Sequence, residues 1–106
     1  MCFKIVFSTY NLLSENYIKR KAGAVCNSGD TWLGYFSSVG ECADACREKV
    51  GCRFFIFGTG SYHEYCHWER TQTADCTEGW DYYWDDYDFY EITGIICITL
   101  SLKLTT

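Results

Sequence analysis

The clearest periodic signal runs from Val39 to Lys49. Val39, Cys42, Ala43, Cys46 and Val50 recur at the three- and four-residue spacing of one helix face, while Asp44, Arg47 and Glu48 fall on the other. Ser38 and Glu41 fit a capping box at the start, and Gly51 supplies a stop. Strand patterns follow. Residues 52–57 are aromatic and β-branched. Tyr65–Glu69 alternates, with Cys66 and Trp68 on one face and Tyr65, His67 and Glu69 on the other. Tyr87–Ile92 alternates too, and Trp32–Phe36 reads as a fourth strand. Gly58-Thr59-Gly60-Ser61 is a turn, so residues 52–69 read as a hairpin. One helix on a small antiparallel sheet is an α+β arrangement. Phe54, Phe55, Ile56 and Phe57 cannot all face inward from one strand, so either the sheet is covered on both sides or two of them are exposed.

Charge divides the chain. Residues 1–21 carry Lys4, Lys19, Arg20 and Lys21 against Glu15, whereas residues 22–91 carry four basic and thirteen acidic residues. Residues 22–92 are therefore expected to be the folded module. Residues 1–21 form an N-terminal arm that is not a convincing signal peptide, because Lys4 breaks its apolar start and Lys19-Arg20-Lys21 precedes the small residues Ala22-Gly23-Ala24. Residues 93–106 form a C-terminal tail, read as a strand over 98–104 from its period-2 alternation or as a non-native end.

The chain is 106 residues long, one domain's length, with a net charge of −5. An acidic surface repels nucleic acid and anionic membranes. No run of 18 apolar residues exists to span a membrane as a helix. There is no P-loop, dinucleotide fingerprint or Ser/His/Asp signature, and paired carboxylates such as Glu64 and Glu69 suit glycoside hydrolysis only in principle, since a chain of this size has little room for a cleft around a sugar. No enzyme, cofactor or metal is expected.

The cysteines carry the strongest signal. Six lie in the module (Cys26, Cys42, Cys46, Cys52, Cys66, Cys76), and Cys2 and Cys97 lie outside it. Cys42 and Cys46 share a helix face with Cβ atoms about 5–6 Å apart, too far for the roughly 3.8 Å of a disulfide. Each should reach off the helix, Cys46 towards Cys52 beyond Gly51 and Cys42 towards Cys66. This disfavours the connectivities containing a 42–46 bond without singling out one. The rival reading is zinc held by Cys42, Cys46, His63 and His67, but its histidines flank a turn rather than lie on a helix, and four cysteines go unexplained.

The pattern Cys42-x3-Cys46-x5-Cys52-Arg-Phe-Phe-Ile-Phe followed by Cys66-His-Trp-Glu resembles the PAN/Apple domains over about residues 24–92. The resemblance implies a helix bonded to a small antiparallel sheet by Cys42–Cys66 and Cys46–Cys52, with Cys26–Cys76 joining the ends. It also implies a non-catalytic, extracellular or cell-surface module, one of several in a larger protein, whose partner is a glycan or an extracellular protein.

Candidate contacts come from an aromatic, acidic segment. Seven of the eleven residues in 80–90 are aromatic, interleaved with Asp81, Asp85, Asp86 and Asp88. Tyr87, Phe89 and Tyr90 are expected in the core. Trp80, Tyr82, Tyr83 and Trp84, with Asp85 and Asp86, are expected in a ligand-binding loop, since flat rings stack on sugars and anchor protein interfaces. Tyr62 and His63, near the hairpin turn with Tyr65, form a second expected patch. The four aspartates allow a Ca²⁺ reading, although their spacing matches no EF-hand. Trp68 is expected to pack against a disulfide. Structural spacing without a ligand is the alternative function.

Overall fold

A computed structural model describes residues 16–94. Its elements are β1 (Tyr17–Lys21), β2 (Val25–Cys26), β3 (Asp30–Tyr35), α1 (Val39–Arg47), β4 (Phe54–Gly58), β5 (Tyr65–Glu69), β6 (Trp80–Asp81) and β7 (Tyr87–Ile92). Short 3₁₀ turns lie at Gly60–Tyr62 and Tyr82–Trp84. Five strands form one antiparallel sheet in the order β1-β7-β4-β5-β3, and β2 pairs with β6 in a separate two-stranded ribbon. This is the α+β arrangement expected from the sequence.

The helix starts where its cap chemistry says it should. Ser38 Oγ accepts the Glu41 backbone N–H at 3.2 Å. The return bond differs by one residue from a standard capping box: the Glu41 carboxylate accepts from the Ser37 N–H and hydroxyl, each at 3.0 Å. At the other end Gly51 adopts a positive φ of 91°, which turns the chain so that Cys52 can meet Cys46.

β4 decides the layering. It is central in the sheet and buried along its whole length. Phe55 and Phe57 pack under α1 with Cys42, Ala43, Cys46, Cys66, Tyr90 and Ile92. Phe54 and Ile56 face the other way, into a second core with Cys26, Cys76, Tyr87 and Phe89. The sheet is therefore covered on both sides, which resolves the alternatives left open for Phe54–Phe57. Rings stack across strands on each side: Phe55 on Tyr90 at 5.0 Å and Phe54 on Phe89 at 5.5 Å. The strand ends at Gly58, where a Cβ would overlap the Tyr62 carbonyl of the returning turn, so the position requires glycine.

Three disulfides staple these layers. Cys42–Cys66 ties α1 to β5, Cys46–Cys52 closes the helix end, and Cys26–Cys76 crosses the second core. The pairing is the one the family resemblance implies. Because Cys42 and Cys46 are disulfide sulfurs, they offer no thiolate, and the Cys/His zinc reading fails. Trp68 packs beside the helix-side cluster as expected, with the Arg70 guanidinium 4.1 Å from its ring centre.

The charge step between residues 21 and 22 falls inside the fold. Tyr17–Lys21, grouped by charge with the arm, is an edge strand paired to β7. Its cations meet the acidic module directly: Lys19 Nζ lies 3.1 Å from Asp88, Arg20 lies 2.8 Å from Glu91, and Lys21 sits over the Trp80 and Tyr82 rings. The readings of residues 1–15 as an arm, of 98–104 as a strand, and of Cys2 and Cys97 lie outside the described residues.

Candidate ligand-binding site

The face of the sheet opposite α1 is covered by turns rather than by a helix, and rings line it. Alternation on β5 points Tyr65, His67 and Glu69 to this face, as the sequence pattern expects. β3 adds Trp32, paired with His67 across the strands, and a register shift near Gly34 brings Tyr35 opposite Tyr65. Edge-to-face contacts run from ring to ring: Trp32 to Tyr35 at 4.8 Å, Trp32 to Tyr65 at 5.4 Å, Tyr65 to Tyr62 at 5.4 Å, Tyr62 to Trp84 at 5.9 Å, and Trp84 to Tyr83 at 5.1 Å. Several of these rings stay open to solvent, Tyr83 at 80% and Tyr35 at 65% exposure.

Beside this run lies a cavity of about 250 Å³ lined by Val25, Asp30, Ile56, His67, Trp84 and Tyr87. The His67 Nε2 lies 3.2 Å from the Tyr87 hydroxyl. Its Nδ1 is buried without a hydrogen-bond partner, 4.0 Å from Asp30 Oδ2. Burial holds the His67 pKa below the ordinary imidazole value, partly offset by the Asp30 charge. Burial pushes the Tyr87 hydroxyl up to about 12, so it keeps its proton at neutral pH.

Deeper on the same face, two glutamates flank Phe54 in the strand register, Glu69 on β5 and Glu91 on β7. Burial lifts Glu69 to about 8; Ser28 Oγ–H donates to it at 2.9 Å, while Asp30 and Glu78 add like charge. Burial also pushes Glu91 up, but hydrogen bonds and charge from Arg20 and Arg53 outweigh it and hold the carboxyl below its ordinary value. Glu69 is 1% exposed and Glu64 sits exposed before the other end of β5, so the two do not act as a hydrolytic pair.

The site residues expected from sequence divide. Tyr62 and Trp84 join the run of rings, and Tyr83 lies at its solvent end. Tyr82 is exposed but sits under Lys21, away from this run. Trp80 is half-buried and packs edge-on against Phe89 at 4.9 Å, a core role. His63 is exposed, with Nδ1 3.3 Å from the Gly60 carbonyl of its own turn. Asp85 caps the Tyr82–Trp84 turn, and the Asp86 carbonyl accepts from the Thr59 N–H at 2.7 Å. Asp81 accepts from the Tyr83 N–H, and Asp88 is held by Lys19 and the Gly23 N–H. The carboxylates of Asp81 and Asp88 thus serve separate local partners. Among the described residues, the group that gathers three ligand-type atoms is Cys26, Cys76 and Glu78, two of them disulfide sulfurs. The Ca²⁺ reading therefore has no geometry behind it.

Sequence reasoning did not place Asp30, Trp32, Tyr35 or His67 in the candidate ligand-binding patch. The alternation on β5 already put His67 beside Tyr65. What was lacking was the pairing of β3 with β5, two strands separated in sequence by the helix and β4.

A family model described as a PAN domain matches residues 15–93. The chain belongs to the PAN domain family. PAN domains mediate protein or carbohydrate interactions and occur as modules of larger proteins. The matched span takes in β1, consistent with its place in the sheet. The chain is also similar to solute carrier family 22 member 6-A of Xenopus laevis, 28% identical over 113 aligned residues that cover 92% of this chain and 20% of that protein. It thus spans about a fifth of that relative's length. No solved structure matches the chain.

Proposed function

We propose that this PAN domain is a non-catalytic recognition module of an extracellular or cell-surface protein, taking a glycan or a protein on the ring-lined face of its sheet. The observation that carries this reading is the continuous run of rings from Tyr35 to Tyr83, partly open to solvent, beside a cavity with polar groups at its wall. Aromatic rings with few rotatable bonds are the residues that supply binding energy at recognition surfaces. Three disulfides support a setting outside the reducing cytosol. Among the described residues no helix is long and apolar enough to cross a membrane.

The test is a glycan array alongside capture of soluble extracellular proteins, with Trp84→Ala and Tyr83→Ala in parallel. Both rings reach solvent, so both variants are expected to keep the wild-type melting temperature and lose binding. Loss of folding instead would make these rings structural and leave the domain a spacer. If the ligand is a protein with a basic surface, affinity falls as salt rises, because residues 22–91 carry four basic against thirteen acidic residues.

A further inference from the structure

We propose that the cavity between Asp30, His67, Trp84 and Tyr87 holds one uncharged sugar residue, with a sugar hydroxyl bridging His67 Nδ1 and Asp30 Oδ2. This names the ligand class for the face described above and rests on that reading.

The argument begins with the unpaired ring nitrogen. A buried polar atom without a partner costs about 1–3 kcal/mol, and His67 Nδ1 is such an atom. Its neighbour Asp30 Oδ2, at 4.0 Å, is too far for a direct hydrogen bond. An oxygen about 2.8 Å from each would bridge them. The proton count then selects the oxygen. Tyr87 keeps its proton, and we assign its hydroxyl as the donor to His67 Nε2, one of the two hydrogen-bond directions open to this pair. The neutral imidazole so oriented carries its own proton on Nδ1 and points it at the gap. The bridging group must accept from Nδ1–H and donate to the carboxylate. A hydroxyl does both. A carboxylate or sulfate oxygen accepts but has no proton for Asp30, and meets like charge there.

Size and walls narrow the class further. At about 250 Å³ the cavity is smaller than the roughly 300–1,000 Å³ pockets that hold drug-sized ligands, in keeping with a single pyranose. Trp84 lines the cavity and is 39% exposed, and an aromatic ring there suits the apolar C–H face of a pyranose, which water filling the same gap would not use. The acidic balance of residues 22–91 disfavours sulfated and sialylated glycans.

The experiment titrates the full chain with the methyl glycosides of glucose, galactose, mannose, N-acetylglucosamine and N-acetylgalactosamine, and with a heparin oligosaccharide. Binding is followed by calorimetry and by the imidazole ¹⁵N resonances of His67. One or more neutral glycosides should bind at millimolar affinity or better, shift Nδ1 more than Nε2, and lose about tenfold or more in affinity on Asp30→Asn or His67→Phe. Asp30 is half-exposed, so Asp30→Asn is expected to fold, and an unchanged melting temperature checks this. A neutral glycoside that binds equally well to Asp30→Asn, or leaves the His67 nitrogens unmoved, overturns the pocket while leaving ring-face recognition standing. Preference for heparin, or no neutral glycoside bound at all, also overturns it. If Trp84→Ala further leaves every array and protein interaction intact, the broader reading falls as well.

Discussion

The two faces of the sheet use the same strands and are closed by different means. On one face α1 lies across β3, β4 and β5, and two disulfides, Cys42–Cys66 and Cys46–Cys52, bind it there. Its core is apolar: Phe55, Phe57, Ala43 and Ile92 among cystine sulfurs. On the other face the cover is a two-stranded ribbon, two 3₁₀ turns and one disulfide, Cys26–Cys76. Two glutamates are buried there, a cavity opens, and rings remain exposed. A helix satisfies its own backbone and presents one apolar stripe, so it can seal a face. Turns spend their polar groups locally and leave gaps between rings. The sealed face holds the fold, and the gapped face is where a ligand can enter.

The largest test of this division removes the disulfides one at a time. Chain-entropy estimates give about 4 kcal/mol for the long Cys26–Cys76 loop and about 3.5 kcal/mol for Cys42–Cys66. Cys26→Ala with Cys76→Ala is expected to cost up to that amount in urea denaturation and to disrupt the proposed ligand-binding face, while far-UV circular dichroism of the helix and sheet persists. Cys42→Ala with Cys66→Ala is expected to lose helix signal. If the two double variants lose structure in the same way, the faces are one unit and the comparison fails.

Next in size is the effect of pH on Glu69. Its folded pKa of about 8 lies above the ordinary value of 4.5, so the fold prefers the protonated acid. Its contribution is fully present below about pH 4.5 and is lost as the pH rises through about 8. Glu69→Gln, a neutral mimic, should flatten that loss and stabilise the protein at pH 8.5 by on the order of 1–3 kcal/mol relative to wild type, with little effect at pH 5. Glu91 carries the opposite sign. Arg20 and Arg53 hold it below its ordinary value, so its contribution is present above pH 4.5 and lost as the pH falls through the lowered pKa. Glu91→Gln should destabilise at neutral pH, and the deficit should vanish in acid. Urea midpoints at three pH values separate the two.

Smaller still, Ser38→Ala removes the helix cap on the sealed face and should lower stability by about 1 kcal/mol without touching ligand binding. Tyr83→Ala, on the gapped face, should change stability by less than about 0.5 kcal/mol and register only in binding. A cap variant that weakens binding would show that the faces are coupled.

Much of the sealed face was legible in the sequence, because its signals are local. The stripe from Val39 to Val50, the Ser38 cap and the alternation about Cys66 and Trp68 each need only a few consecutive residues. The disulfide pairing was legible too, but through the family pattern of cysteines; helix geometry disfavoured the 42–46 bond and no more. The gapped face was read in part. Tyr62, Tyr83 and Trp84 stood out by their own character, whereas Trp80, equally aromatic, turned out to pack on Phe89. Tyr17–Lys21 looked like an arm because its cations contrast with the acidic module, and that contrast is the complementarity that docks it beside Asp88 and Glu91.

By itself the sequence determined the α+β class and the helix with its cap, since periodicity and capping are properties of neighbouring residues, and the resemblance of its cysteine pattern to the PAN/Apple domains implied the disulfide-stapled module. Only the tertiary structure decided which strands lie side by side. That order put β1 against β7, placed Trp32 and Asp30 beside His67, and buried Glu69 and Glu91 on either side of Phe54. The physical reason is that register between distant strands is fixed by the packing of both sheet faces at once, and no short stretch of this chain carries that information.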